Sequence, residues 1–242
     1  MKLSVVIPAY NEELSITETL VTLYQKLVEA GIEHEIFVTN DNSKDKTEAV
    51  LKGLLNSIPT LRYETNKGPN GFGYAVRYGL DRHSGDCVAV MMADLSDSPE
   101  DLVVFYHKLN EGYDCVFGTR FTKGGKTINY PAFKLILNRL VNLGVRASFR
   151  HGYDDTTNAF KLYRKEVILG LKPFLSPHFN LTLELPLKAV IRGYSYAIVG
   201  NSWRNRKYGE SKLKLKEMGS RYFFVFLYCL IEKYFSRGDF KK

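Results

Sequence analysis

Asp94 and Asp97 close the segment Ala93-Asp-Leu-Ser-Asp97, which follows the apolar run Asp86-Cys-Val-Ala-Val-Met-Met92. A carboxylate at the tip of a buried strand is costly unless a cation meets it there. Oxygen ligands, with few supplied by protein, suit Mg²⁺ or Mn²⁺ bridging a diphosphate. Asp97 has a second reading as the N-cap of a helix opened by Ser98-Pro99-Glu100, and the two roles are compatible.

Three further segments carry the right chemistry for a phosphorylated ligand. Asn40-Asp-Asn-Ser-Lys-Asp45 offers a carboxylate and amides to a nucleobase and ribose, or is a capped turn. Asn66-Lys-Gly-Pro-Asn-Gly-Phe-Gly73 offers close backbone approach and a helix N-terminus to an anion, or is a plain loop. It has neither the Walker nor the Rossmann glycine spacing. Arg206-Lys-Tyr-Gly-Glu-Ser-Lys212 combines a bidentate guanidinium, a point charge and a glycine, the makings of a loop over a diphosphate. No recognised nucleic-acid-binding module surrounds that loop, so nucleic acid is not the expected partner. No Ser-His-Asp order or Cys-His pairing stands out, and His34, His83, His107, His151 and His178 are dispersed.

The elements that must hold these segments follow from periodicity. Residues 3–9, 35–39, 61–65, 86–92 and 113–118 read as strands; 13–29, 44–56 and 73–82 read as helices between them. That alternation predicts an α/β fold, a doubly wound, mostly parallel sheet with helices on both faces. Ligands of such sheets sit beyond the C-terminal strand ends, where residues 8–12, 40–45, 66–73 and 93–100 all fall. Further on, 133–149 and 178–192 read as helices, 194–199 as extended, and 204–216 as a basic loop.

Composition sets the bounds. The chain has 242 residues, 45% of them hydrophobic, enough for one sizeable core, and wholesale disorder is excluded. A formal charge of +8 calls for an anionic partner. Cys87, Cys115 and Cys229 lack metal-ligand spacing and read as reduced thiols of a cytoplasmic protein. The N-terminal run is too short for a signal peptide, and Tyr222–Ile231 is too short to cross a bilayer. We therefore expect a body over 1–217 and a C-terminal aromatic helix over 218–242. That helix is expected to lie amphipathically on a membrane face or to form a homo-oligomer contact.

Seven segments in order carry a family resemblance. They are Val5-Val-Ile-Pro-Ala-Tyr-Asn-Glu12, Asn40-Asp-Asn-Ser-Lys-Asp-Lys-Thr47, Asn66-Lys-Gly with Gly71-Phe-Gly-Tyr-Ala75, and Met92-Ala-Asp-Leu95. Gly118-Thr-Arg-Phe121, Asp155-Thr-Thr-Asn-Ala-Phe-Lys161 and Arg206-x-x-Gly-x-Ser-Lys212 complete the set. The chain resembles family 2 glycosyltransferases, within them the dolichol-phosphate mannosyltransferase group, over residues 3–215. The resemblance implies a GT-A fold, with Pro8, Ala9, Tyr10, Glu12, Asn40, Asp41, Lys67, Ala93 and Asp94 binding a nucleotide sugar. It implies that Asp94, with Asp97, holds Mg²⁺ or Mn²⁺, that Arg120 and Arg139 grip the acceptor phosphate, and that Arg206 and Lys212 lie near the donor phosphates. Met92 stands where the family's metal motif has its first Asp, and a thioether does not replace a carboxylate on Mg²⁺.

The implied reaction is an inverting transfer of a hexose from a GDP- or UDP-sugar to a polyprenyl phosphate. An ionised phosphate needs no strong general base, in keeping with the lack of a catalytic histidine. Two alternatives remain at this stage. A saccharide acceptor would need a base such as Asp154 or Asp155, and a non-catalytic nucleotide-sugar binder would fit the changes at Met92 and Asn40.

Overall fold

A computed structural model describes residues 1–206, 215–236 and 238–240, with backbone alone for 215–218. Lys212 and most of the expected basic loop lie outside the described residues. The order of elements is β1 (Leu3–Ala9), α1 (Ile16–Glu29), β2 (His34–Asn40), α2 (Thr47–Leu54), β3 (Leu61–Thr65), α3 (Phe72–Leu80), β4 (Cys87–Val90) and α4 (Pro99–Asn110). There follow β5 (Cys115–Thr119), β6 (Lys126–Ile128), α5 (Ala132–Phe149), β7 (Lys161–Arg164), α6 (Lys165–Gly170), α7 (Leu181–Ile191), β8 (Tyr196–Gly200), β9 (Ser202–Arg204) and α8 (Leu215–Phe235).

Seven strands form one sheet in the order β3-β2-β1-β4-β7-β5-β8. β7 runs antiparallel to both neighbours, and the other pairings in this sheet are parallel. β1 is buried at every position, as its unbroken apolar sequence requires of a strand covered on both faces. Leu3, Val5 and Ile7 pack with Leu20 and Leu23 of α1 and Leu102 and Phe105 of α4. Val6, pointing the other way by strand alternation, packs with Val76 and Leu80 of α3 and Leu181 and Leu185 of α7. β1 lies between β2 and β4, so the chain order reverses beside it and opens a crevice at the C-terminal strand ends.

Several local expectations need correction. α2 opens at Thr47 and not near Ser43, because Asp45 Oδ1 accepts from the backbone N and Oγ1 of Thr47 at 2.9 and 2.5 Å and holds a turn there. Asp97 does not cap α4. Ser98 is the N-cap, its Oγ accepting from Asp101 N at 3.5 Å. The three-residue strands β6 and β9 pair with each other in a second small sheet.

α8 crosses the expected 217/218 boundary as one continuous helix. Its Val225 and Cys229 pack with Val145 and Phe149 of α5 and Leu183 and Leu187 of α7. Arg192, at the C-cap of α7, binds Glu232 through two bonds of 2.7 and 2.9 Å, which ties the end of α8 to the body. No helix among the described residues is long and apolar enough to cross a membrane. Nevertheless α5 exposes Phe133, Ile136 and Leu140, and α8 exposes Phe223, Phe224 and Phe235.

Candidate active site

The crevice beside β1 is a cavity of about 1000 Å³. Pro8, Ala9, Tyr10 and Glu12 line it from the end of β1, Asp41 from the end of β2, and Asp94 and Asp97 from the segment after β4. Arg120 from the end of β5 and Arg206 from beyond β9 line it as well. Nine of the expected residues thus converge, as strand-end geometry predicts.

Asp41 organises one end. Its Oδ1 accepts from Asn66 Nδ2 at 2.8 Å and its Oδ2 from Gly71 N at 2.7 Å, which pins the glycine loop to the rim. Gly73 then runs so close to residues 176–178 that a Cβ would lie 2.5 Å from Ser176 O. Phe72 stacks on Phe179 with centroids 4.3 Å apart, closing that wall. Asn40, Lys67 and Ala93 do not line the cavity. Asn40 is buried, taking Ser43 N at 3.1 Å on its Oδ1. Ala93 is buried with its carbonyl oxygen accepting from Thr19 Oγ1 at 2.9 Å, and Lys67 is exposed beyond the rim.

Asp94 and Asp97 share the opposite wall. Leu95 between them adopts φ 53, a left-handed conformation uncommon for a branched side chain, so the turn is held by its surroundings. Asp94 Oδ1 accepts from Ser96 N at 3.0 Å, and Asp97 Oδ2 from Met92 N at 3.2 Å. Burial, and then the Asp94 carboxylate, push the Asp97 carboxyl up to about 7. A cation between them would relieve that repulsion. No group of three or more His, Cys, Asp or Glu among the described residues forms a metal cage. Two carboxylates and a ligand's phosphate oxygens make an all-oxygen donor set that fits Mg²⁺ or Mn²⁺.

Arg120 is not an unencumbered phosphate grip. Its Nε and Nη2 donate to the two oxygens of Asp155, each at 2.7 Å, and its backbone N donates to the same carboxylate at 3.1 Å. Nη1 is the side-chain donor that Asp155 does not engage. Arg139 stands outside the cavity, its guanidinium 4.4 Å over the Phe121 ring and its Nη1 3.3 Å from Asp154 O. The helical rotation of about 100° per residue explains this: Lys134 and Asn138, one turn apart on α5, face the cavity, and Arg139 is turned off that face. The Lys134 side-chain ammonium has no hydrogen bond or ion pair among the described residues. The spacing of Lys134 and Asn138 was the available signal.

Sequence reasoning also passed over Tyr130, His178, Trp203, Arg221 and Tyr222, all of which line the cavity. Lys161, fully buried under its floor, donates to the carbonyl oxygens of Thr156, Asn158 and Thr182, and so joins the loop before β7 to the start of α7. Beyond Tyr130, Lys134, Asn138, Thr157 and Tyr222 the cavity continues into a groove of about 480 Å³ between α5 and α8. Leu137, Leu140, Val141, Leu183, Phe223 and Phe226 make this groove apolar.

Comparison with known proteins agrees with this architecture. The sequence profile described as "Glycosyl transferase family 2" matches residues 4–170. The chain is 33% identical over 222 residues to the dolichol-phosphate mannosyltransferase of Pyrococcus furiosus, covering 89% of this chain and 60% of that protein's length. It is 29% identical over 215 residues to the polyprenol monophosphomannose synthase of Mycolicibacterium smegmatis, covering 86% of this chain and 80% of that protein. Among solved structures, glucosyl-3-phosphoglycerate synthase from Mycobacterium tuberculosis in complex with Mn²⁺, UDP and glucosyl-3-phosphoglycerate superposes with a TM-score of 0.69 at 21% identity, over 96% of this chain and 79% of that one. The complex of that synthase with Mg²⁺ and UDP gives 0.68 at 21% identity, over the same shares of the two chains. At such identity the likeness shows the fold alone.

Proposed function

The chain belongs to glycosyl transferase family 2, and from that premise we propose that it transfers a hexose from a nucleoside-diphosphate sugar to a polyprenyl phosphate. The observation that carries this reading is the continuity of the polar cavity with the apolar groove, with Lys134 at their junction. A lipid phosphate has that shape and chemistry, an anionic head at a cationic junction and an apolar tail beyond it. The names of the two curated relatives support the same acceptor class.

In this reading Pro8–Glu12 and Asp41 receive the nucleotide, and Thr157, Asn158 and Ala159 border the sugar. Lys134, Asn138 and Arg120 Nη1 receive the acceptor phosphate. Asp94, aided by Asp97, would hold Mg²⁺ or Mn²⁺, which when bound neutralises charge on the donor diphosphate. Solved complexes of a synthase with this fold contain Mn²⁺ or Mg²⁺ together with UDP. An acceptor phosphate oxygen forms a bond to the anomeric carbon from the face opposite the leaving group. The bond from that carbon to the diphosphate oxygen breaks, and the nucleoside diphosphate leaves with the electron pair. The acceptor is a phosphate monoester with a second pKa of about 6. It is largely ionised near neutral pH and has no proton to surrender. Positioning and charge compensation by Arg120, Lys134 and Arg206 then suffice.

A saccharide acceptor is disfavoured because neither Asp154 nor Asp155 is placed to act as its base. Asp155 is engaged twice by Arg120, and Asp154, held by Thr119 Oγ1 at 2.7 Å, does not line the cavity. The exposed aromatic and aliphatic faces of α5 and α8 suit a lipid surface at the mouth of the groove. The free buried thiols of Cys87, Cys115 and Cys229 suit the cytoplasmic side. A panel of GDP- and UDP-sugars offered with a short polyprenyl phosphate tests the reading. One lipid-linked product supports it; nucleotide binding without product from any donor contradicts it.

A further inference from the structure

Arg206 is more than a cation near the donor phosphates. Its Nη2 lies 2.7 Å from Asp94 Oδ2, and its Nη1 3.7 Å from Glu12 Oε1. All three side chains are largely buried, at 16%, 5% and 12% exposure, so these pairs are screened far less than surface ones. The other Asp94 oxygen already accepts from Ser96 N. The guanidinium therefore takes the oxygen through which Asp94 would meet a divalent cation.

The backbone that delivers Arg206 is fastened to the same turn. Arg204 N donates to Ser96 O at 3.0 Å, Asn205 N donates to Ile128 O at 3.0 Å, and Trp203 bridges to Asp97. With the main chain anchored through Asn205, the side chain of Arg206 is the part left to move. Resting on the reading of Asp94 as the principal carboxylate for Mg²⁺ or Mn²⁺, we propose that Arg206 is a built-in counter-cation at Asp94 that the divalent ion displaces. Displacement hands the guanidinium to the nucleotide diphosphate. Asp94 and the donor phosphates thus compete for one arginine, and cation loading and diphosphate capture are coupled through it. The same competition keeps the affinity of the nucleotide-free site for a bare cation low.

The test measures Mn²⁺ binding to the whole chain by the electron paramagnetic resonance of free Mn²⁺, with and without GDP or UDP. Wild type, Arg206→Gln, Arg206→Lys and Asp94→Asn are compared, each checked for a native thermal transition. Without nucleotide, Arg206→Gln is expected to bind Mn²⁺ about tenfold more tightly, the size of an ordinary coupling between sites. Arg206→Lys, which keeps the charge without the fork, falls between. With nucleoside diphosphate present, Arg206→Gln is expected to bind the Mn²⁺–nucleotide pair more weakly than wild type. Nucleotide-free affinity unchanged or weakened in Arg206→Gln, while Asp94→Asn abolishes binding, overturns the exchange and leaves Asp94 as the cation residue. Undiminished Mn²⁺ binding by Asp94→Asn overturns both.

Discussion

Arg120 and Asp155 face each other through two side-chain hydrogen bonds of 2.7 Å, the carboxylate fully buried and the guanidinium nearly so. Breaking such a pair from one side leaves an uncompensated buried charge, at a cost of about 3–5 kcal/mol. Asp155→Ala is expected to lower stability by that amount in thermal or urea unfolding. The loss of activity should exceed the loss of folded protein, because Arg120 no longer presents Nη1 to the cavity.

Lys134 and Arg139 separate the reading of the acceptor from the sequence expectation. Lys134→Ala is predicted to raise KM for polyprenyl phosphate about tenfold, as loss of a charged hydrogen bond would, and to leave nucleotide affinity unchanged. Arg139→Ala should change both by less than about threefold, since its partners lie outside the cavity and exposed pairs contribute little. Steady-state kinetics with each substrate varied in turn check both.

The helical face one residue away from Arg139 shows why such errors arise. The place of Asp94 in the cavity lining was legible because it follows the end of an apolar strand, where the crevice opens. Asp41 and Asn40 are adjacent and equally polar, yet the strand end turns one into the cavity and the other into the loop that holds it. That choice depends on where Asn66 and Gly71 come to rest, which no local pattern encodes. β6 and β9 are too short to show a period, so Trp203 and Tyr130, in edge contact with centroids 4.9 Å apart at the rim, carried no signal. The mostly parallel sheet and its helix layers were legible because unbroken apolar strands demand cover on both faces, whereas the strand order and the antiparallel β7 rest on long-range pairing.

The exposed face of α8 supplies a prediction about membranes. Replacing Phe224 and Phe235 together by Ser is expected to abolish co-flotation with anionic liposomes. Turnover of a short, water-soluble prenyl phosphate should persist, because Val225 and Cys229 keep the helix docked. Persistent flotation would remove α8 from the membrane contact.

His151 gives the fold an acid-sensitive point. It is buried, its Nδ1 accepts from Tyr153 N at 3.1 Å, and burial, then the charges of Lys233 and Arg146, lower its pKa to about 4. The unfolded chain, with a histidine pKa of about 6.5, binds the proton first as pH falls. His151 therefore contributes stability above about pH 6.5 that is lost as pH drops towards 4. Urea midpoints between pH 7 and 4.5 should fall less steeply in His151→Gln than in wild type.

The central claim is that the acceptor is a phosphate-headed lipid. The most direct measurement is the initial rate of sugar transfer from the preferred donor to a polyprenyl phosphate, beside the matching polyprenol and a soluble phosphorylated acid, with Asp94→Ala as the inactive control. The account predicts product from the polyprenyl phosphate alone and none from Asp94→Ala. Equal or faster transfer to the polyprenol or the soluble acid, or undiminished turnover by Asp94→Ala, would contradict it.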